Sequence, residues 1–418
     1  MKILLFDLLT SGHHLSYASY LARYLREAGD EVLFVTAQQS GAFQVLQDRY
    51  GVKVEYLAIN KKLSQVRAPS QSKLVSKLTR NLRTAHHLID CFRLANRWQV
   101  DVVHILCLDD IEPALYIAHL KRQFSPEDRS WSLWGTLHSP YFVTDQHSSV
   151  SVSKRFQYYL KLTAIRRVIA NNSLSGIFVH TSGIRETLLK ALGNKEEQVR
   201  KVKEIPYPVE LLSDSCSMKD ARKKLGLPQD IPLLLFFGGL RYNKGLDIVI
   251  DAIRDLDDTF QLVIAGQPEY FTKSHIEDWL ASFKDPSKVI CRLRYIPEEE
   301  VKYYFLSADA VILAHKKNFK GQSGPLLQAC AAGKPVISTD VGEIGNIVKE
   351  NGLGMVVEPD STEALRQGIK QFLDNRAEMS REVYQRTIGY AHKHDWHKMG
   401  SVVRKEYFST INSSRMGE

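Results

Sequence analysis

Cysteine is scarce in this sequence, and its positions exclude two kinds of cross-linked protein. The 418 residues contain five cysteines, and no two of them form a CxxC pair. An odd number of scattered cysteines argues against a disulfide framework or a zinc site and is typical of a reducing compartment. We therefore expect a cytoplasmic protein without a structural metal. The five are Cys91, Cys107, Cys216, Cys291 and Cys330.

Long hydrophobic runs are also missing. No stretch reaches the roughly 18–20 apolar residues that a helix needs to span a bilayer. The opening residues MKILLFDLLTSGHH form a short apolar run without a small-residue cleavage site. We expect them to form a buried first strand rather than a signal peptide. The sequence thus argues against an integral membrane protein.

Two nucleotide-binding fingerprints are absent as well. No GxGxxG follows the first strand-like run of either half of the chain, and GxxxxGK[ST] does not occur. The first motif marks many NAD-binding proteins and the second marks P-loop NTPases. Their absence weakens the dehydrogenase and kinase interpretations.

Acidic residues are nearly absent from two segments. Residues 61–97 contain nine lysines and arginines but one acid, Asp90, in a chain whose net charge is +9. Residues 151–173 contain five bases and no acid. Apolar residues recur near helical spacing in the first segment, which predicts a basic amphipathic helix. These residues are Leu74, Leu78, Leu82, Leu88, Phe92 and Leu94.

Two interpretations of the basic helix at 61–97 stay open. It is either the solvated face of an ordinary helix or a surface that docks on anionic lipid, at the inner face of the membrane. Nucleic acid is not expected as a partner, because no recognised nucleic-acid-binding motif accompanies the charge.

Strand-like and helix-like runs alternate through both halves of the chain. Fully apolar strands separated by helices predict a parallel sheet covered on both faces. The pattern restarts after KEIPYPVE, whose two prolines suit a hinge. We predict an α/β protein of two Rossmann-like, doubly wound domains, residues 1–208 and 209–385, facing across a cleft. The predicted strands are Ile3–Phe6, Val32–Thr36, Val52–Leu57, Val102–Leu106, Leu133–Leu137, Ile177–His180, Leu233–Phe237, Leu262–Ala265, Val289–Leu293, Ala310–Leu313, Val336–Ser338 and Gly354–Val357.

A glycine-rich loop follows the first strand of the second half, in the sequence FFGGLRYNKGLDIVIDAI. Gly238 and Gly239 let the backbone approach a ligand closely. Arg241 and Lys244 supply a planar fork and a mobile point charge, which together suit a diphosphate. The alternative is a glycine-rich turn with solvated bases.

A second loop begins the helix predicted at Pro325–Ala332. Ser323, Gly324 and Pro325 place a proline in its first turn, and the exposed N–H groups of a helix start favour phosphate. The alternative is a well-capped helix without a ligand. Because ligands of parallel sheets bind at the carboxyl ends of the strands, the two loops together favour a nucleotide diphosphate.

Polar residues also follow strands in the first half. His138 comes directly after a strand, where its imidazole is either a structural residue or a hydrogen-bond partner of a sugar hydroxyl. His14 is interpreted as structural. Asp109 and Asp110 are placed to bind a metal or an acceptor hydroxyl, although helix N-capping is the simpler explanation.

Several segments resemble glycosyltransferase family 4 in order and spacing. They are FFGGLRYNKGLDIVIDAI, QLVIAGQPE, RYIPEEEVKYYFLSADAVIL and SGPLLQACAAGKPVISTDVGEIGNIV. The resemblance covers Ile231–Phe372 well, and the first half resembles the family in layout through GHHLSYASYLA and GTLHSPY. Members of the family are retaining enzymes of the GT-B fold. The resemblance also implies C-terminal helices, residues 386–418, that pack back on the first domain.

The resemblance implies a role for individual residues. Arg241 and Lys244 would hold the donor diphosphate and stabilise the leaving group, and His138 would touch the donor sugar. Gly12 and His13 would line the acceptor side. The remaining donor-binding positions are Gly238, Gly239, Gly266, Arg294, Ile296, Lys320, Gln322, Ser323, Gly324, Pro325, Leu326 and Gln328.

The sequence departs from the family pattern at two glutamates. Lys320 stands where the family has a glutamate near the sugar, and Gln328 stands where it has one at the ribose. Gln328 can still accept a hydrogen bond from a ribose hydroxyl. Lys320 cannot accept one, but it could favour an acidic donor sugar. Arg241 stands two places after the arginine common in many members, where this chain has Gly239.

The resemblance therefore predicts a retaining, metal-independent hexosyltransferase without a cofactor. Its donor would be a nucleotide-diphosphate sugar, with UDP or GDP expected. Its acceptor would be a hydroxyl of a saccharide or lipid-linked molecule, in polysaccharide or glycolipid synthesis. A sugar-nucleotide 2-epimerase and a non-catalytic subunit that binds a nucleotide or a partner enzyme are the alternatives.

Overall fold

The structure is a computed structural model. It describes residues 1–8, 13–37, 44–57, 73–120, 129–139, 142, 151–212, 216–256, 259–319 and 321–416. Of residues 13, 73–77 and 413–416 it describes the backbone alone. The chain divides into two compact units. The first is Met1–Pro208 with Trp396–Glu418, and the second is Val209–Asp395.

The first unit is built on a parallel sheet with the strand order β3-β2-β1-β4-β5-β6-β7. Six of its strands lie within one residue of their predicted bounds, and β7 was not predicted. The strands are β1 Lys2–Phe6, β2 Glu31–Thr36, β3 Lys53–Tyr56, β4 Val102–Ile105, β5 Ser132–Leu137, β6 Gly176–Val179 and β7 Val202–Glu204.

Helices cover both faces of this sheet because successive strand residues point to opposite sides. In β1, Leu4 and Phe6 pack into one apolar cluster. Ile3 and Leu5 pack into another. The helices of the unit are His13–Glu27, Gln44–Tyr50, Lys73–Trp98, Glu112–Leu120, Val152–Ala170, Ser182–Leu192, Glu196–Lys201 and Trp396–Met416.

The second unit repeats this architecture with the parallel order β10-β9-β8-β11-β12-β13. Its strands are β8 Leu233–Phe237, β9 Gln261–Ala265, β10 Val289–Arg292, β11 Ala310–Leu313, β12 Val336–Thr339 and β13 Gly354–Val357. Its α-helices are Met218–Leu225, Leu246–Arg254, Lys273–Ala281, Glu298–Ser307, Gly324–Ala331, Gly342–Asn351, Thr362–Asp374 and Arg376–Lys393. The prediction of two doubly wound α/β domains is confirmed.

The C-terminal division differs from the predicted one. The boundary between 385 and 386 falls inside the helix Arg376–Lys393, which lies in the second unit. The chain joins the first unit at Trp396, where the final helix begins. That helix packs on His13–Glu27, and the Arg404 guanidinium donates to the Asp30 carboxylate at 2.6 Å.

The basic segment 61–97 forms the helix Lys73–Trp98 in the part that is described. Leu88 and Phe92 are buried in the core of the first unit. These two members of the predicted apolar stripe therefore face protein rather than lipid. Every helix in the described ranges is too short or too polar to cross a bilayer.

Candidate functional site

The candidate site lies at the centre of the second sheet. From β8 the chain adds β9 and β10 on one side of the sheet and then crosses to the other side of β8, where it adds β11. The order of strands therefore reverses between β8 and β11. In open parallel sheets, the loops on either side of such a reversal form the usual ligand-binding crevice at the carboxyl ends of the strands. Here these loops are residues 238–245, after β8, and, in its described part, residues 314–319 and 321–323, after β11.

The first loop folds its lysine back onto its first glycine. Gly238 has a φ of +110°, and a Cβ there would collide with the Lys244 Nζ atom. Glycine is thus favoured at 238 by the backbone conformation, and the Lys244 ammonium occupies the space beside its Cα. The Lys244 ammonium donates a long hydrogen bond of 3.4 Å to the Phe237 carbonyl oxygen.

Lys244 carries a charge that no adjacent carboxylate neutralises in the described residues. Burial and the Arg241 charge lower the pKa of Lys244 to about 8, and the Glu269 charge acts in the opposite direction. A partly buried cation without an ion-pair partner is well suited to bind an anion.

Arg241 has a different environment. Its side chain is 65% exposed, and its Nε atom donates to the Glu269 carboxylate at 2.6 Å. Glu269 lies beside Gly239, where a Cβ would collide with its carboxylate oxygen. Exposed ion pairs contribute little stability, so Arg241 can exchange Glu269 for another anion at small cost.

The two loops are held together by backbone contacts. The Lys316 N–H donates to the Asn243 carbonyl oxygen at 3.0 Å. Gly245 has a φ of +70° and lies against the Ala314 carbonyl oxygen, where a side chain would collide. The Lys316 ammonium donates to the Asp247 carboxylate at 2.6 Å. These contacts fix the loop that carries Lys244 against the end of β11.

His315 follows β11 in the second loop, and its side chain is buried. It is 4% exposed, and its Nδ1 atom has no hydrogen-bond partner among the described residues. Its ring packs against the Phe319 ring, with centroids 4.0 Å apart. Burial and the Lys244 charge lower the pKa of His315 to about 3, so the imidazole is neutral at physiological pH. Sequence analysis gave this residue no role.

The helix Gly324–Ala331 begins at the end of the second loop, one residue before its predicted start. Ser323 is the N-cap, and its buried Oγ atom has no hydrogen-bond partner among the described residues. The Leu326 N–H donates to the Ser323 carbonyl oxygen at 3.0 Å, and Pro325 has no N–H. Gly324 therefore has an N–H at this helix start, and space is open beside its Cα.

Other predicted donor-side residues lie at neighbouring strand ends. The Gly266 N–H donates to the Arg292 carbonyl oxygen, and its Cα lies against the Gly238 backbone. The Arg294 guanidinium donates to the Glu300 carboxylate at 2.5 Å. Ile296 is buried. Gln322 and Gln328 are half-buried near the second loop, and Lys320 lies outside the described residues.

The equivalent strand ends in the first unit form a hydrogen-bonded network. The Asp109 carboxylate accepts the His138 and Ser139 N–H groups, each at 2.8 Å. Asp109 therefore links the loops after β4 and β5. The simpler interpretation of the sequence was that Asp109 caps a helix, and it does not do so here. Asp110 instead forms an ion pair with Lys161.

The His138 ring is part of the same network. Its Nε2–H donates to the Leu106 carbonyl oxygen at 2.8 Å, and its Nδ1 accepts from the His180 Nε2–H at 3.1 Å. Burial lowers the pKa of His138, which keeps the ring neutral. Both ring nitrogens have protein partners, so contact with a donor sugar would require one of these bonds to break.

The acceptor-side predictions fall partly outside the structure. Gly12 lies outside the described residues, and His13 is described as the first residue of a helix without its side chain. Nearby, the His14 Nδ1 atom lies 3.0 Å from the Asp7 carboxylate. A cavity beside Asp7, Cys107 and Asp109 measures about 20 Å³, room for one water molecule.

Metal-ligating side chains do not cluster in the described ranges. No group of three or more His, Cys, Asp or Glu residues there could hold a metal ion. The candidate site instead contains an ammonium, a guanidinium, an imidazole, a hydroxyl and backbone N–H groups, each of which is able to donate a hydrogen bond.

Comparison with known proteins identifies the segment that holds this site. Residues 217–394 match the family model described as Glycosyl transferases group 1. The matched segment contains both loops of the candidate site. A curated relative, the putative teichuronic acid biosynthesis glycosyltransferase TuaC of Bacillus subtilis, is 26% identical over 242 residues, 56% of this chain and 55% of its own length. The chain spans about half the length of the curated relatives it matches.

Solved structures resemble the whole chain. Sucrose-phosphate synthase from Thermosynechococcus elongatus matches with a TM-score of 0.73 at 16% identity, covering 99% of this chain and 100% of its own. HepE from Anabaena, solved with UDP and glucose, matches with a TM-score of 0.67 at 17% identity. The match covers 98% of this chain and 100% of the HepE chain. This likeness shows the GT-B fold.

Proposed function

We propose that the protein transfers a hexose from a nucleotide-diphosphate sugar to an acceptor hydroxyl. The observation that carries this proposal is Lys244, which has no carboxylate partner in the described part of the chain and lies at the switch point of the second sheet. It belongs to the segment that matches the glycosyl transferases group 1 model. A bound diphosphate would supply the negative charge that pairs with the Lys244 ammonium.

Breaking the bond between sugar and phosphate leaves negative charge on the departing diphosphate. Lys244, the Gly324 N–H and Arg241, once released from Glu269, would stabilise that charge. Preorganised electrostatic stabilisation of this kind usually lowers the activation barrier more than any other single effect. No metal is required in this scheme, because the two cations face the charge that a metal would otherwise balance.

The family 4 resemblance supports a retaining outcome. In that scheme the acceptor hydroxyl attacks from the face that the diphosphate leaves, and the departing phosphate takes the hydroxyl proton. One sugar–oxygen bond breaks and one forms at the same carbon, and no side chain becomes covalently attached. Gln328 would bind the ribose through its amide oxygen.

UDP and GDP are the proposed donor nucleotides. HepE was solved with UDP and glucose, which makes UDP-glucose the first donor to test. The name of the Bacillus subtilis relative refers to teichuronic acid biosynthesis. That name supports testing saccharide and lipid-linked acceptors of polymer synthesis.

A thermal-shift screen of nucleoside diphosphates and their sugars tests the donor assignment. A ligand that binds the folded state raises the melting temperature, and more so as its concentration exceeds its Kd. Product analysis by NMR on the donors that bind then gives the anomeric configuration of the new linkage. Retained configuration supports the proposal. Binding without transfer across a broad acceptor panel would favour the non-catalytic subunit, and isomerised donor without acceptor would favour the epimerase.

A membrane surface is the second part of the proposal. The first turns of the helix Val152–Ala170 expose four apolar side chains, Val152, Phe156, Tyr159 and Leu160. Lys154 and Arg155 lie among them, and residues 151–173 contain no acid. Exposed apolar residues beside basic ones favour the interface of an anionic bilayer. We therefore propose this helix, rather than Lys73–Trp98, as the surface that meets a membrane.

Sedimentation with liposomes tests the membrane proposal. Wild-type protein is expected to sediment with vesicles that contain anionic lipid and to stay in solution with neutral ones. The double variant Phe156→Ser, Tyr159→Ser should lose most of this binding, whereas Phe408→Ser, at another exposed aromatic residue, should keep it. Equal sedimentation with both vesicle types would rule out charge as the cause.

A further inference from the structure

His315 is a buried histidine whose surroundings differ from those of a structural core histidine. His104, in the first unit, is fully buried and has two partners. Its Nδ1 atom lies 2.5 Å from the Tyr407 hydroxyl, and its Nε2 atom lies 2.9 Å from the Thr136 hydroxyl. His315 is almost as buried, but its Nδ1 atom has no protein partner in the described residues. Buried polar atoms of native proteins nearly always have a partner, so this exception calls for an explanation.

The position of His315 is fixed on three sides. Its ring packs against Phe319, with centroids 4.0 Å apart. Its carbonyl oxygen accepts the Thr339 hydroxyl at 2.6 Å. The preceding Ala314 carbonyl lies against Gly245, next to Lys244. The backbone at His315 is therefore fixed by two contacts, and its ring packs against Phe319.

The chemistry around His315 is cationic. Burial lowers the affinity of its ring for a proton, and Lys244 acts in the same direction, which leaves the ring neutral. A neutral imidazole still carries one N–H donor. The ring also has a backbone hydrogen bond with Leu313, which acts in the opposite direction on its proton affinity. The N–H would therefore have to leave that carbonyl to bind an anion beside Lys244, where a neutral ring adds no second positive charge.

We infer that His315 is a diphosphate-binding residue, whose imidazole N–H donates a hydrogen bond to a phosphoryl oxygen of the donor nucleotide beside Lys244. The inference rests on the proposed function, because it assumes that the ligand of this site is a nucleoside diphosphate. The Ser323 hydroxyl, also buried and without a protein partner in the described residues, lies on the same loop and offers a further donor.

Two substitutions separate this role from a packing role. His315→Phe keeps an aromatic ring against Phe319 but removes both nitrogens. His315→Gln keeps a side-chain N–H donor. His392→Phe, at an exposed histidine in the second unit, is the matched control. Melting temperatures measured without ligand show whether each variant is folded.

Isothermal titration with UDP and with inorganic pyrophosphate measures the effect. A hydrogen bond to a charged group typically changes affinity by about tenfold or more. His315→Phe is therefore expected to bind both ligands about tenfold more weakly than wild type. His315→Gln should recover most of the affinity, and the His392 control should match wild type.

Nitrogen-15 NMR of the histidine side chains gives a second readout. On addition of pyrophosphate to the full-length protein, a ring nitrogen of His315 should shift, because its hydrogen bond changes. A purely structural histidine would show no such shift and no recovery with glutamine. Equal ligand affinities in wild type and folded His315→Phe, or an unmoved His315 signal, would overturn the inference while leaving the proposed function intact. If wild-type protein binds no nucleoside diphosphate and no pyrophosphate, both fail.

Discussion

The two sheets share a strand order at their centres, but the candidate site residues at their strand ends have different numbers of hydrogen-bond partners. In the first unit, Asp109 accepts two backbone N–H groups, and both ring nitrogens of His138 have protein partners. In the second unit, Lys244 has one long hydrogen bond. His315 Nδ1 and Ser323 Oγ have no protein partner in the described residues.

This difference indicates which strand ends bind a ligand strongly. A polar group that already has good protein partners contributes little free energy to ligand binding, because binding only exchanges one hydrogen bond for another. A buried polar group without partners contributes much more binding free energy. We infer that the loops of the second unit supply most of the donor-binding energy, while the Asp109–His138 network of the first unit serves as scaffold.

The largest expected effect follows removal of the Lys244 charge. Lys244→Ala should lower turnover by about 10²–10³-fold, the usual cost of losing one group that stabilises transition-state charge. Steady-state kinetics with the donor found in the screen measure it. Lys273→Ala, an exposed lysine of the same unit, is the control. Unchanged turnover in Lys244→Ala would show that the diphosphate binds elsewhere.

The scaffold role of Asp109 predicts a loss of stability. Asp109→Ala leaves the His138 and Ser139 N–H groups without their acceptor, which should cost about 2–3 kcal/mol. Thermal unfolding should show a lower melting temperature for the transition of the first unit. Asp90→Ala, at an exposed helix residue paired with Arg93, should change little. UDP affinity is expected to survive in Asp109→Ala, and its loss would mean that this network belongs to the donor site.

The lowered pKa of Lys244 predicts how donor affinity depends on pH. Burial brings the pKa of Lys244 to about 8 in the free protein, and a bound diphosphate would raise it. Below pH 8 the lysine is already charged and affinity stays constant. Above pH 8, binding must take up a proton, so affinity should fall by about tenfold per pH unit until the pKa of the bound state is reached.

Isothermal titration with UDP between pH 7 and pH 9.5 checks this dependence. Lys244→Arg is the matched control, because arginine stays charged over this range and should give a flatter profile. A wild-type profile as flat as that of Lys244→Arg would show that Lys244 does not gain a proton on binding.

The smallest expected effect concerns Arg241. Its exposed ion pair with Glu269 indicates a supporting role, so Arg241→Ala should lower UDP affinity by about three- to tenfold. Glu269→Gln, which frees the guanidinium, should leave UDP affinity equal or slightly higher. If Arg241→Ala is as damaging as Lys244→Ala, the ranking of the two cations is wrong.

Much of the fold could be predicted from the sequence. Strands such as Leu233–Phe237 and Ala310–Leu313 are continuous apolar runs, and the structure gives them the predicted bounds. The strand Val202–Glu204 was missed because it has three residues, and its two charged residues begin the proline-containing segment KEIPYPVE. At a sheet edge, pairing with β6 decides the conformation, and local sequence does not reveal pairing.

The site was predictable in position but not in hydrogen bonding. Gly238 and Lys244 were found because glycines and bases after a strand are visible in sequence. The rule that drew attention to His138, a histidine just past a strand, applies equally to His315, and only the structure shows that His138 has partners on both nitrogens. Glu269, the partner of Arg241, lies in the conspicuous segment QLVIAGQPE but is 28 residues away. Its role depends on strand order rather than on spacing.

The most direct test of this account is a solved structure of the protein with a bound nucleoside diphosphate. The account predicts that a phosphoryl oxygen lies within about 3 Å of the Lys244 Nζ atom, as in an ordinary charged hydrogen bond. A diphosphate bound away from Lys244, with the ammonium still directed at the Phe237 carbonyl, would contradict it.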